Sequence, residues 1–295
     1  MHVACCYAAG VKNLDEVVLD ALDLHASYAL PKLKFKPTRK RLVVASGNAL
    51  PTGKVVFKRE SCVFADEGQF REVLKREPAL DAAVVISASG KKHAPLVVEE
   101  LLARGLDTCL LTCNGASDAA KLLPSDHVFV TKSKPEPITY NTSTYMGMML
   151  AKTRENPRVI KAHLLRRVKP LLRQFNKYRA FYLIVPGEFD LMREMFITKF
   201  DELFGPKLLG RCYTEAQTFH AKTVVPWDKE LFISFGFKNR HFGLKRLTVP
   251  LPPNAGFVSL MATGYYAIGH IQAQFPPWFK RHAETYAQFQ RNLPF

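Results

Sequence analysis

The chain contains no uninterrupted run of about 18 apolar residues, so no segment reads as a membrane-spanning helix. Its beginning, Met1-His2-Val3-Ala4-Cys5-Cys6, lacks the charged region and long apolar core of a secretory signal, and a cytoplasmic protein is expected. The six cysteines form no Cys-x-x-Cys pair and no cluster with histidine. Structural zinc needs such spacing, so no metal is expected and the thiols read as free. Acidic residues are scarce, 26 against 42 lysines and arginines, which leaves a net charge of +16. That charge suggests nucleic acid. The basic residues are not interleaved with aromatics in a recognised binding module, however, so the sequence leaves this reading open without favouring it. They gather at residues 32–41 and from Lys152 to Arg179. In the second stretch Ile160, Leu164, Val168, Leu171, Leu172 and Phe175 recur at helical spacing, which predicts an amphipathic helix with a solvated basic face.

What is present is ordinary for a folded protein. A hydrophobic content of 47% and a mean hydropathy of -0.07 exclude wholesale disorder. A chain of 295 residues is long enough for two cores. Residues 14–30 read as an entry helix. From Arg41 onward short apolar strands alternate with helices. The strands are read at 42–45, 55–57 running on to 63–64, 84–86, 108–112 and 127–130, with a helix at 142–151. Later strands are read at 182–185, 231–235 and 247–249, with helices at 191–204 and 257–273. This alternation predicts mostly parallel sheets covered on both faces, and hence two three-layer α/β/α units. The expected division is 1–40 as an N-terminal helix and basic segment, 41–155 as the first unit, 156–178 as a basic linker helix, 179–274 as the second unit and 275–295 as a tail.

The most informative stretch is Val84-Val85-Ile86-Ser87-Ala88-Ser89-Gly90-Lys91-Lys92-His93. A strand ends in small hydroxyl residues and a glycine, and a helix pattern follows. Hydroxyls and orphan N–H groups at a helix N-terminus suit an anion. Lys91, Lys92 and His93 oppose the helix dipole there unless an anionic ligand offsets them, so a phosphate is expected. In a parallel sheet ligands bind beyond the carboxyl ends of the strands. The turn at Gly47 and Asn48, the loop Ser87–Gly90, Thr112 and the loop carrying Glu136 are all expected at that edge.

Taken in order, these residues resemble the double sugar isomerase (SIS) domain family. The likeness is to the isomerase part of glucosamine-6-phosphate synthase and to the bifunctional phosphoglucose/phosphomannose isomerases. Ser87-Ala88-Ser89-Gly90 resembles the family's phosphate loop, and Ala45-Ser46-Gly47-Asn48 its first turn. Leu111-Thr112-Cys113-Asn114 resembles a later turn, and Gln290-Arg291-Asn292-Leu293 the C-terminal tail. The resemblance implies a flavodoxin-like fold, a homodimer, no cofactor, and a phosphosugar aldose–ketose isomerase. It places Glu202 as the proton-transferring base and His220 as the ring-opening group, with Glu194 and Glu215 as further candidates. The substrate and its phosphate would be held by Gly47, Asn48, Ser87, Ser89, Gly90, Lys91, Lys92, Thr112 and Glu136. Isomerisation through an enediolate needs a carboxylate lifted toward neutrality, an acid–base group and a phosphate anchor, and these residue types supply all three.

Several positions depart from the family. Lys91 and Lys92 replace a polar pair that ends in threonine, Ala49 stands for a serine, and no lysine follows Leu293 before the sequence stops. No glutaminase segment accompanies the isomerase part. The alternatives are a non-enzymatic sugar-phosphate sensor or regulatory SIS protein, and an SIS-type deglycase or amino-sugar-processing enzyme.

Overall fold

The computed structural model describes residues 10–220 and 222–292. The N-terminal hexapeptide read above for a signal, and the tail residues Leu293, Pro294 and Phe295, lie outside the described residues. Two compact units are formed. One comprises Ser27–Lys134 and Ser143–Arg154, and the other residues 10–26, Pro135–Thr142 and 155–292.

Helix α1 (Leu14–Ala26) belongs to the second of these units. Alternation in the first unit begins with β1 (Arg41–Ala45), α2 (Ala49–Val56), β2 (Cys62–Ala65) and α3 (Phe70–Arg76). It continues through β3 (Ala82–Ile86), α4 (His93–Ala103), β4 (Asp107–Thr112), α5 (Asp118–Lys121), β5 (Val128–Val130) and α6 (Thr142–Thr153). The strands form one parallel sheet in the order β2-β1-β3-β4-β5. β1 and β3 are buried along their whole length, so their continuous apolar runs match a sheet covered on both faces. Leu42, Val44, Ala83 and Val85 on one face pack with Val97, Val98 and Leu101 of α4.

The second unit repeats this plan. It contains α7 (Pro157–His163), β6 (Ala180–Val185), α8 (Arg193–Phe204), β7 (Leu209–Thr214) and α9 (Glu215–Phe219). β8 (Glu230–Phe235), β9 (Lys245–Val249), α10 (Phe257–Ala273) and α11 (Trp278–Asn292) complete it. All strand pairs are again parallel, in the order β7-β6-β8-β9. Each unit is therefore a flavodoxin-like α/β/α arrangement whose first strand lies inside the sheet, between the second and the third. Among the described residues no helix is long and apolar enough to cross a membrane.

Four local expectations are corrected. Val55 and Val56 lie in α2 and Phe57 caps it, so no strand forms there. A short apolar run does not declare its period, and the parallel β1–β2 pair requires a crossover, which this helix supplies. The entry helix ends at Ala26, not Leu30. The basic stretch is not one helix. Asn156 caps α7 with Pro157 at its start, a π turn covers Leu164–Val168, and 3-10 turns follow at Lys169–Leu171 and Phe175–Lys177. Pro170 cannot donate its missing N–H and stops the helical ladder. The expected apolar positions Ile160, Leu164, Val168, Leu172 and Phe175 are nonetheless buried, whereas Leu171 is exposed. The fourth correction is β7, an edge strand whose sequence Leu-Gly-Arg-Cys-Tyr-Thr carries no strand pattern. Gly210 packs directly on Phe200 of α8, where a Cβ would lie 2.0 Å from the ring.

Candidate functional site

In the first unit, β1 leads to β2 on one side, while β3, β4 and β5 extend on the other. The sheet order reverses between β1 and β3, which is where doubly wound sheets form their crevice. A cavity of about 210 Å³ opens there, lined by Ser46 after β1, Ser87, Ser89, Lys91, Lys92 and His93 after β3, and Glu67 after β2. Tyr145 of α6 lines it as well.

The loop after β3 is built from its own side chains. The Gly90 N–H donates to Ser87 Oγ at 3.1 Å, and the Lys91 N–H donates to Ser89 Oγ at 3.3 Å. Both hydroxyls accept from the loop and keep their own O–H available for a ligand. The loop is then tied to the end of β4. Thr112 Oγ1 and the Cys113 N–H both donate to Ala88 O, each at 3.1 Å, and Asn114 Nδ2 donates to Ser89 O at 3.2 Å. Gly90 has φ +63°, and a Cβ on it would sit 2.1 Å from Ser117 Oγ. Only glycine fits, because the left-handed conformation and the close approach both exclude a side chain. Lys92 has φ +56° and ψ −115°, a strained conformation for a residue with a Cβ, at the entrance to α4.

The expected anion residues therefore divide. Ser87, Ser89, Lys91 and Lys92 line the cavity. Gly90 shapes the loop behind it, and Gly47, with φ +53°, and the buried Asn48 form the turn after Ser46. Thr112 is fully buried, and its hydroxyl is committed to Ala88 O and to the Asn114 N–H, so it holds the loop and does not line the cavity. Glu136 belongs to the other unit. It lies in Pro135–Thr142 of the second unit, where its carboxylate accepts from the Thr142 N–H at 2.5 Å.

In the second unit, Glu202 is near the end of α8. Its Oε2 accepts from Lys199 Nζ at 2.5 Å, and the same ammonium donates to Thr139 O at 2.8 Å. Lys199 is fully buried, with its Nζ over the rings of Tyr140 and Tyr265. Burial pushes the Glu202 carboxyl above the usual carboxylate range, and the attraction of Lys199 only partly opposes it. Burial likewise pushes the Lys199 ammonium below its usual value, against the pull of Glu202 and Glu136. Both directions follow from one cause, the cost of charge in a dry site. A carboxyl so placed holds a proton more readily than an exposed one.

His220 does not join this pair. α8 carries the chain from the carboxyl end of β6 back to the amino end of β7, so Glu202 lies at the amino-terminal edge of the sheet. His220 follows α9, which starts at the carboxyl end of β7 after the Thr214–Gln217 capping box. It is exposed, and its N–H donates to Gln217 O. Glu194, in the first turn of α8, and Glu215, the first residue of α9, are both exposed. Sequence reasoning missed Lys199 and Glu67. The i, i+3 spacing of Lys199 and Glu202 was a visible signal for the first, and nothing in the turn Asp66–Gln69 marked the second.

No family model matches the sequence, and no curated protein matches it. Its structural likenesses are extensive. The C-terminal domain of glucosamine-fructose-6-phosphate aminotransferase from Francisella tularensis superposes with a TM-score of 0.60 at 13% identity. That match covers 90% of this chain and 97% of the other. Tagatose-6-phosphate ketose/aldose isomerase from Escherichia coli gives 0.60 at 13% identity, covering 95% and 93%. Glucosamine-6-phosphate deaminase from Thermotoga maritima gives 0.61 at 13% identity, covering 88% and 91%. These are SIS-domain proteins, and at such identities the likeness is one of fold. With its two parallel sheets, the order shared by their strands and coverage of nearly the whole chain, this protein has an SIS-type fold.

Proposed function

We propose that the chain binds a sugar phosphate, with the phosphate at Ser87, Ser89, Lys91 and Lys92, and interconverts its aldose and ketose forms. The observation that carries the binding is the cavity at the reversal of strand order, rimmed by two hydroxyls and two cations at the start of α4. The three solved neighbours are named for sugar-phosphate chemistry, which supports the same ligand class. In this reading Glu202 removes the proton from the hydroxyl-bearing carbon beside the carbonyl to give the enediolate and returns it to the former carbonyl carbon, while the hydroxyl proton passes to the former carbonyl oxygen. The raised proton affinity of Glu202 supports that role. His220 assists ring opening. Within one chain it and Glu202 lie at opposite edges of a single sheet, so a homodimer, with one group from each copy, is part of the proposal.

A panel of pentose and hexose phosphates, followed by NMR for binding and isomer interconversion, tests this directly. The Glu202→Gln variant is expected to bind a sugar phosphate and to have lost turnover. Full turnover in that variant overturns the assignment. Co-expression of Glu202→Gln with His220→Ala chains is expected to restore part of the activity that each lacks alone. The same separation of Glu202 and His220 favours a second reading, a non-enzymatic sugar-phosphate sensor. It predicts binding without interconversion of any member of the panel.

A further inference from the structure

Glu67 has no part in the phosphate site as described, yet it lines the same cavity. It stands in the turn between β2 and α3, and β2 neighbours β1, so three successive carboxyl-end loops meet there. Three N–H groups of this turn are already taken. Asp66 Oδ1 accepts from the Gly68 N–H at 2.9 Å and from the Gln69 N–H at 2.8 Å, and the Phe70 N–H donates to Asp66 O. Glu67 Oε2 is shielded from solvent and has no hydrogen-bond partner among the described residues. An oxygen closed to water is closed to a ligand hydroxyl as well, so the half-buried Glu67 meets the cavity through its other carboxylate oxygen, which makes no hydrogen bond or ion pair among the described residues.

The cavity is thus bipolar, with Ser87, Ser89, Lys91 and Lys92 on one side and the Glu67 carboxylate on the other. Phosphate alone would gain from the first and be repelled by the second. A nucleotide polyphosphate would add more negative charge, and at about 210 Å³ the space is below the roughly 300–1,000 Å³ typical of larger ligands. The ligand that satisfies both sides is a small phosphate ester whose body carries hydroxyl donors. We infer that Glu67 is a specificity-determining residue that accepts hydrogen bonds from the hydroxyls of a monosaccharide phosphate anchored by the Ser87–Gly90 loop. The inference rests on the proposed phosphate site and adds to it the group that distinguishes a sugar phosphate from phosphate itself.

Calorimetric titration of the full chain with inorganic phosphate, ribose 5-phosphate, fructose 6-phosphate and glucosamine 6-phosphate tests this, using wild type, Glu67→Ala and Glu67→Gln. Wild type is expected to bind at least one sugar phosphate more tightly than inorganic phosphate. Glu67→Ala should weaken that sugar phosphate about tenfold or more, the worth of a charged hydrogen bond, and leave inorganic phosphate equal or tighter. Glu67→Gln keeps the shape and serves if the alanine variant does not fold. Variants that bind the sugar phosphate as tightly as wild type, or that lose phosphate and sugar phosphate in parallel, overturn the role of Glu67 alone. Wild type that binds neither phosphate nor any sugar phosphate overturns the phosphate site as well, and this inference with it.

Discussion

Lys199 Nζ lies 2.5 Å from Glu202 Oε2, one turn apart on α8, with the lysine wholly buried and the carboxylate at 21% side-chain exposure. Burial disfavours the charge of each partner. Burial lifts the proton affinity of Glu202 and lowers that of Lys199, while each pulls the other back toward the charged form.

Replacing Lys199 by methionine removes the pull that lowers the Glu202 pKa, so that pKa rises further. A carboxyl whose folded pKa exceeds its unfolded value contributes stability at low pH, and the contribution is lost as pH rises through the folded pKa. Lys199→Met should therefore cost about 3–5 kcal/mol near neutral pH, where a buried carboxylate loses its partner. The cost should be smaller at acidic pH, where protonation of Glu202 removes the unpaired charge. Urea unfolding at the two pH values measures this, and an equal loss at both would show that Glu202 does not carry the effect.

Gly90→Ala is expected to destabilise the first unit by about 2 kcal/mol or more, because it combines a positive φ with a clash in a packed loop. The Cβ meets Ser117 Oγ, so the double variant Gly90→Ala/Ser117→Gly should recover the steric part and leave the conformational part. Thermal unfolding of the two variants separates them, and identical values would mean that the contact with Ser117 is not the cause.

Thr112→Val keeps the shape of a fully buried side chain and removes the hydroxyl between Ala88 O and the Asn114 N–H. Leaving a buried donor unpaired costs about 1–3 kcal/mol. Thr112 does not line the cavity, so the same variant should weaken phosphate binding only through the looser loop. Calorimetry with inorganic phosphate, compared with Thr112→Ser, checks this. Serine restores the hydrogen bonds and should restore the affinity.

Glu155 accepts hydrogen bonds from the N–H groups of Gly256, Val258 and Ser259, each at 2.9 Å, at the start of α10. α10 is almost entirely buried, so its first turn has little access to water for those donors. Glu155→Ala should cost about 2–3 kcal/mol, above an ordinary capping loss because three donors and the helix dipole are involved. Chemical denaturation reads the change. A loss under about 0.5 kcal/mol, the size of a neutral surface substitution, would refute the capping role.

The strands at the centre of each sheet were legible because their side chains are buried on both faces and therefore read as unbroken apolar runs. Leu42–Ala45, Ala83–Ile86 and Tyr182–Val185 show this. Edge elements were less legible. β7 is only partly buried, includes Gly210 for its packing against Phe200, and so presents no apolar run. Only the end of the helix at Ala49–Val56, from Val55, was read as strand, because eight residues supply too few turns to reveal a period. The anion loop was visible because the need for small hydroxyls and a left-handed glycine is local. Its support from Thr112, Cys113 and Asn114 was only half visible, since the same residue types could equally have lined the cavity.

By itself, the sequence determined the alternation of elements, the parallel character of both sheets and the chemistry of the loop at Ser87–Gly90. Each of these depends on neighbours along the chain: periodic burial, the crossover demanded by parallel strands, and the conformations a glycine permits. The tertiary structure decided where the charged groups stand. It buried Lys199 beside Glu202, placed His220 at the opposite edge from Glu202, and brought Glu67 from a separate turn into the cavity. The strand order that makes these neighbours is set by long-range pairing, and the electrostatic cost of burial acts only after those pairings have excluded water.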